Sequence, residues 1–293
     1  MSHNHTNEMA NDYKFWSGYA IEQENREALR ATATMAELLL MGDLPERMDP
    51  RKSKLADQGF LQTENQGQIG SCQGNSLSDC GEFAHAFATG EVIQISRMYA
   101  YIASQMESNI RGDSGSTLEG GGKAFIKGFP LESVAPYTSS YPGWNYITQD
   151  MRAEAIYKLN SHVEMHSAEH VKAFIGSQIG IVHIGINWGS EMQPDGQGCI
   201  RSFAGSGRGG HALVICGYVP DTDIGVASGS GWWGLMKNSW GKSWGKNGYA
   251  YLSPKCIEQM IANRNTSIYG RSDMDSPRPR PIKFDFTKQS ILG

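Results

Sequence analysis

The hydrophobic period of this chain changes once, and that change limits the folds open to it. Leu77, Cys80, Phe83, Ala84 and Phe87 recur at three- and four-residue steps. That spacing lines one face of a helix and predicts one over residues 72–87. Further helices are predicted over 96–107 and from 116 to just before Gly128. Beyond residue 160 the period shortens. Ser167 suits the cap of a short helix over 168–177. Runs at 179–187, 211–218, 234–238 and 248–252 then read as strands. Helices first and strands afterwards is the α+β layout, with two lobes and a crevice between them.

Bulk properties narrow the partners. A chain of 293 residues fits one large two-lobed domain or two small ones. Charged residues are 19% of the chain and the net charge is −4, which points away from nucleic acid and anionic membranes. No apolar run approaches a membrane span, and the N-terminus lacks the apolar stretch of a secretory signal. The five cysteines are irregularly spaced, so they read as free thiols in a reducing intracellular compartment. Without a secretory route, the glycosylation sequons at Asn4 and Asn265 are chance matches.

Three parts are expected. A lead segment, 1–43, carries a helical pattern over 21–40 that Gly42 and Pro45 end. The body runs from 44 to 263. A tail, 264–293, holds a Pro/Arg run from Ser276 that is unsuited to a helix interior or a central strand, so an extended course is expected.

The chemistry lies in three blocks. Cys72 sits in NQGQIGSCQGNSLSDC, His211 in GRGGHALVICGY and Asn238 in LMKNSWGKSWGKNGYAYL. A lone cysteine is most often an inert core thiol. Cys72 with Gln66, His211 and Asn238 reads instead as a nucleophile with its oxyanion donor, base and orienter. A helix beginning at Cys72 and a facing imidazolium would both favour the thiolate. A neutral amide at Asn238 is enough to fix the ring of His211. On the strand that His211 begins, Leu213 and Ile215 share its face, while Ala212, Val214 and Cys216 take the other. Cys216 therefore reads as packing.

At these blocks the chain resembles the papain family of cysteine peptidases. The resemblance starts at LPERMDPRKS (Leu44). It continues through QGQIGSC, YTSSYP near Tyr137 and GHALVICGY, and ends in KNSWGKSWGKNGYAYL, covering about residues 44–255. It implies a helical N-terminal lobe, an antiparallel β-barrel-like C-terminal lobe and a cleft that takes an extended peptide or protein substrate. It implies endopeptidase chemistry through an acyl-enzyme at Cys72, with no metal or cofactor. It also implies that Trp240 covers the Asn238–His211 bond and borders the substrate. Gly115 would hydrogen-bond the substrate backbone, and Ala212 would border the pocket for the second residue upstream of the cut. No acidic residue stands ready to select basic side chains there, so an apolar preference is expected.

Some positions depart from the family. Ile69 and Gln73 stand where a cysteine and an aromatic are usual, and residues 219–234 make a longer hairpin. The lead segment stands where an inhibitory propeptide would be; it would block the cleft or brace the fold. Two other uses of the same residues stay open. One is a non-catalytic subunit that docks a protein partner through the hairpin or the tail. The other is acyl transfer to an amine.

Weaker signals have plain readings. His162, His166 and His170 would hold zinc only on one continuous helix, and the cap at Ser167 splits them. Trp232 and Trp233 read as packing, or as an exposed contact pair. Gly120-Gly121-Gly122 lacks the strand-to-helix context and the lysine of a phosphate loop.

Overall fold

The computed structural model describes residues 44–275, apart from 206 and 208. Helix α1, Cys72–Thr89, is the axis of the molecule, and every residue in it except Ala88 is buried. It packs against α2, Arg97–Ser108, on one side, and against three sheet strands on the other. Ser96 caps α2 by accepting the Tyr99 N–H, and Asn109 closes it in the left-handed region. Helix α3, Leu118–Lys127, is capped by Thr117. A short α4, Gln149–Ala153, completes the helical lobe.

The sheet lobe holds β1, Lys158–Glu164, then α5, Ala168–Gly176, and β2, Ile181–Trp188. After β3, Cys199–Ile200, the long β4, Gly209–Pro220, leads through α6, Asp221–Ile224, to β5, Trp232–Lys237. Strand β6, Tyr249–Leu252, helix α7, Pro254–Ala262, and β7, Ser267–Asp275, end the described chain. Strand order is β1-β7-β2-β4-β5-β6-β3. Every pairing is antiparallel except β3 with β6. The α+β, two-lobed architecture expected from the period change is what forms.

Polar links cross from the sheet to the helices. Lys237, the last residue of β5, donates to both carboxylate oxygens of Asp79 on α1 at 2.7 and 2.8 Å. Burial pushes Asp79 up to about 6 against the pull of Lys237. Burial also opposes the charge of Lys237, but Asp79, Glu64 and Glu82 more than offset it and hold the ammonium above its ordinary value. At neutral pH the pair is therefore ionised. His183 on β2 lies 2.8 Å from Ser76 Oγ on α1. Arg271 on β7 donates to the Leu118 carbonyl at the start of α3.

Several expectations change here. The body does not end at 263: Ser267–Asp275 is a strand lying between β1 and β2 in the sheet. Both of its faces are buried over residues 267–272, and Arg271 and Ser272 are among the buried side chains, which no hydrophobic pattern flags. Strands β1 and β3 and helices α4 and α7 had no counterpart in the sequence reading either. Trp232 and Trp233 are buried. Trp233 Nε1 donates to the Val226 carbonyl, and Trp232 Nε1 donates to Glu169, so the hairpin offers no exposed tryptophan pair to a partner. Ser167 caps α5 by accepting the His170 N–H, which leaves His162 on β1 and His170 on α5. Among the described residues no three His, Cys, Asp or Glu side chains gather as a metal site. The lead segment, residues 1–43, with its expected helix and blocking or bracing role, and the Pro/Arg run from 276 lie outside the described residues.

Candidate active site

Cys72 is the first residue of α1, where helical N–H groups lack partners within the helix and the dipole favours an anion. Its Sγ accepts the backbone N–H of Ala212 at 3.3 Å, so strand β4 brings the residue after His211 against the thiol. Cys72, Leu118, Ala212 and Tyr269 form one small buried apolar cluster.

His211 Nε2 lies 2.8 Å from Asn238 Oδ1. An amide oxygen only accepts, so the ring carries its hydrogen on Nε2. Nδ1 is then the basic nitrogen, and it has no hydrogen-bond partner. Asn238 follows directly on β5, and its Oδ1 also accepts the Ser239 N–H at 2.8 Å, which fixes the amide. Trp240 stacks on the His211 ring at 4.4 Å between centroids. Trp188, the last residue of β2, meets the same ring edge-on at 5.2 Å. The two indoles wall the imidazole from water.

Burial pushes His211 down to about 4, with the Asn238 bond acting in the opposite sense. Cys72 and His211 have no exposed surface, so burial favours the neutral ring and works against the expected resting imidazolium. A proton taken from Cys72 would leave an anion alongside that favours the charged ring.

Gln66 is buried, and both ends of its amide are placed. Oε1 accepts the Ser239 hydroxyl at 2.7 Å, and Nε2 donates to the Ile69 carbonyl at 2.9 Å. The Gln66 backbone N–H reaches the Ser239 carbonyl. Tyr137, from the YTSSYP stretch, donates its hydroxyl to the Gln66 carbonyl at 2.9 Å and lies 2.5 Å from Ser71 Oγ. It thus holds both ends of the loop that leads into Cys72.

The structure brings Cys72, His211, Asn238, Gln66, Ala212 and Trp240 together. Gly115 is a correction. Its φ of +78° turns both its peptide groups inward. Its N–H goes to the Tyr101 hydroxyl and its carbonyl to Gln105 Nε2, so neither is offered to a substrate. The next residue, Ser116, is the one in this stretch whose backbone takes part in a β-bridge. Gln73, which stands where the family usually has an aromatic, faces inward. It is buried and accepts the Ser116 hydroxyl at 2.8 Å. Gly121 lets α3 close over it, since a Cβ there would lie 1.9 Å from Gln73 Nε2. The glycine run is thus a packing device. Sequence reasoning missed Trp188 and Ser239. The second was within reach, as it directly follows Asn238 in the same motif.

The chain matches the family model described as papain family cysteine protease over residues 44–269. It is 26% identical over 250 residues to a cysteine proteinase of Arabidopsis thaliana, covering 84% of this chain and 50% of that one. A cathepsin L-like proteinase of Phaedon cochleariae is 26% identical over 216 residues, covering 73% of this chain and 62% of its own. The chain thus spans about half to three-fifths of the length of these relatives. Among solved structures, xylellain, a cysteine protease from Xylella fastidiosa, superposes with a TM-score of 0.66 at 19% identity, covering 88% of this chain and 96% of that one. That likeness concerns the fold; with the family model reaching from residue 44 to residue 269, the chain belongs to the papain family of cysteine proteases.

Proposed function

We propose that the chain is a cysteine endopeptidase acting on peptide or protein substrates. The observation that carries this is the bare Nδ1 of His211, locked by Asn238, on the residue whose neighbour binds Cys72 Sγ. In this reading Nδ1 takes the Cys72 proton and the sulfur attacks the scissile carbonyl carbon. The carbonyl π electrons move to oxygen, where the Gln66 amide and the Cys72 backbone N–H donate hydrogen bonds. Collapse expels the amine, which takes the proton back from His211, and leaves a thioester at Cys72. Water, deprotonated by His211, attacks the thioester. Collapse of that second adduct releases the acid and the thiolate, which recovers its proton. A purely structural use of the fold would leave this buried, mutually bonded set without a task.

Cys72 and His211 have no exposed surface, so substrate entry requires the site to open. Assay of a fluorogenic peptide under reducing conditions tests the reading, with the chain and with a variant lacking residues 1–43. Turnover lost in His211→Ala, and raised at least several-fold by the truncation, is expected. A refolded truncated protein without turnover on a broad peptide set would contradict the hydrolase reading.

We place substrate backbone pairing at Ser116. The pocket for the second residue upstream of the cut lies where Ala212, Leu118 and Tyr269 meet Cys72. These walls favour apolar side chains. A peptide-library profile led by apolar residues at that position is expected; one led by Arg or Lys would overturn the assignment. All five cysteines are free, which supports work in a reducing compartment. Recovery of the active chain with disulfides from an oxidising compartment would count against that.

A further inference from the structure

The loop between Gln66 and Cys72 carries the oxyanion donors of the proposed reaction and forms neither helix nor strand, so something must hold its shape. Its two ends are tied by Ser239 and Tyr137. A further tie is at Gly70, whose N–H donates to Asp113 Oδ1 at 2.9 Å. That same oxygen accepts the Tyr101 hydroxyl at 2.8 Å. Tyr101 is buried on α2, and its oxygen also takes the Gly115 N–H at 3.1 Å and Gln105 Nε2 at 3.0 Å. Gln105 in turn reaches the Gly112 and Gly115 carbonyls at 2.8 and 3.0 Å, and Tyr141 fixes its Oε1.

We propose that Asp113 is a positioning residue for catalysis: from the cleft-side loop 112–116, one carboxylate oxygen, itself held by the Tyr101 hydroxyl, accepts the Gly70 N–H of the oxyanion loop. Asp113 touches no reacting atom. It acts through the loop that presents Gln66 and the Cys72 N–H. A carboxylate suits the task, because an anion strengthens both bonds and a single sp² oxygen can accept two donors. Tyr101 is held protonated by burial, with Asp113 adding to the effect, so it remains a donor. Because Ser116 follows Gly115 directly, the brace also ties the strand segment proposed to pair with substrate to the loop proposed to stabilise the oxyanion.

The inference rests on the endopeptidase reading for its kinetic part only. The test compares Asp113→Ala, Asp113→Asn and the native chain by kcat, by KM, and by amide hydrogen exchange over residues 66–72. Loss of bonds to a charged acceptor predicts that Asp113→Ala lowers kcat about tenfold or more, with KM moved far less, and speeds exchange in that segment about tenfold or more. The asparagine carbonyl oxygen accepts the same two donors, so Asp113→Asn should restore both readouts to within about threefold of native. Native kcat or native exchange in Asp113→Ala would overturn the proposal. So would equal impairment of the Ala and Asn variants, which would indicate a role in stability or charge alone. If the native chain shows no turnover, the exchange readout still decides whether the brace exists, and that failure falls on the hydrolase reading.

Discussion

Cys72→Ala is expected to abolish peptide turnover, a loss on the order of a million-fold in kcat when a nucleophile is removed from a covalent mechanism. The fold should be spared. Cys72 is a small buried side chain whose sulfur accepts the Ala212 N–H at 3.3 Å, and alanine keeps its backbone and most of its volume, so thermal unfolding should shift by no more than a few degrees. No other thiol can take its place. Burial pushes Cys199 up to about 11 and Cys216 and Cys256 up to about 12, and it pushes Cys80 higher still. These four stay protonated at working pH and are buried. Residual activity above about one part in a thousand of native would mean that Cys72 is not the nucleophile.

Gln66→Ala is expected to lower kcat by about 10²–10³, or about 2.7–4 kcal/mol, which is the usual loss when one oxyanion donor is removed. The size follows from how the amide is held. Ser239 fixes its oxygen and Ile69 accepts from its nitrogen, so it is oriented before the reaction begins and needs no reorganisation. The charge it meets exists only in the tetrahedral state, so KM should move far less than kcat. A large KM change with kcat preserved would place Gln66 in substrate binding. Ser239→Ala should give a weaker version of the same pattern, because it releases the amide without deleting it.

The catalytic set was legible because each member sits in a block whose local chemistry is self-contained. Cys72 opens a clear helical stripe, His211 opens a strand, and Asn238 precedes an indole that stacks on the His211 ring. Parts fixed by long-range packing were not legible. Strand β7 escaped because Arg271, Ser267 and Ser272 are buried in it, their polarity absorbed by tertiary contacts such as the Leu118 carbonyl. Its place beside a Pro/Arg run made it read as tail. Gly115 was assigned to substrate because the resemblance matches this stretch to the family's glycines that hydrogen-bond the substrate backbone. Its positive φ instead turns its amide groups toward Tyr101 and Gln105, partners on a helix that no local pattern connects to it. Trp188 lay one residue past the predicted end of its strand, and only the pairing of β2 with β4 puts it against His211. Gln73 stood out in the sequence only as a departure from the family's usual aromatic. The three-dimensional contact with Ser116 and Gly121 shows it to be an internal spacer between α1 and α3.

The most direct test of the central claim, that Cys72 is an activated nucleophile served by His211, is covalent labelling with an epoxysuccinyl inhibitor of cysteine peptidases, read by intact mass and peptide mapping. Applied to the chain lacking residues 1–43, it should add one inhibitor per molecule, on the peptide containing Cys72, with labelling lost in Cys72→Ala and slowed by at least a hundredfold in His211→Ala, on the order of a general base's contribution. A folded protein that takes no label at Cys72, or takes it equally fast without His211, would contradict the account.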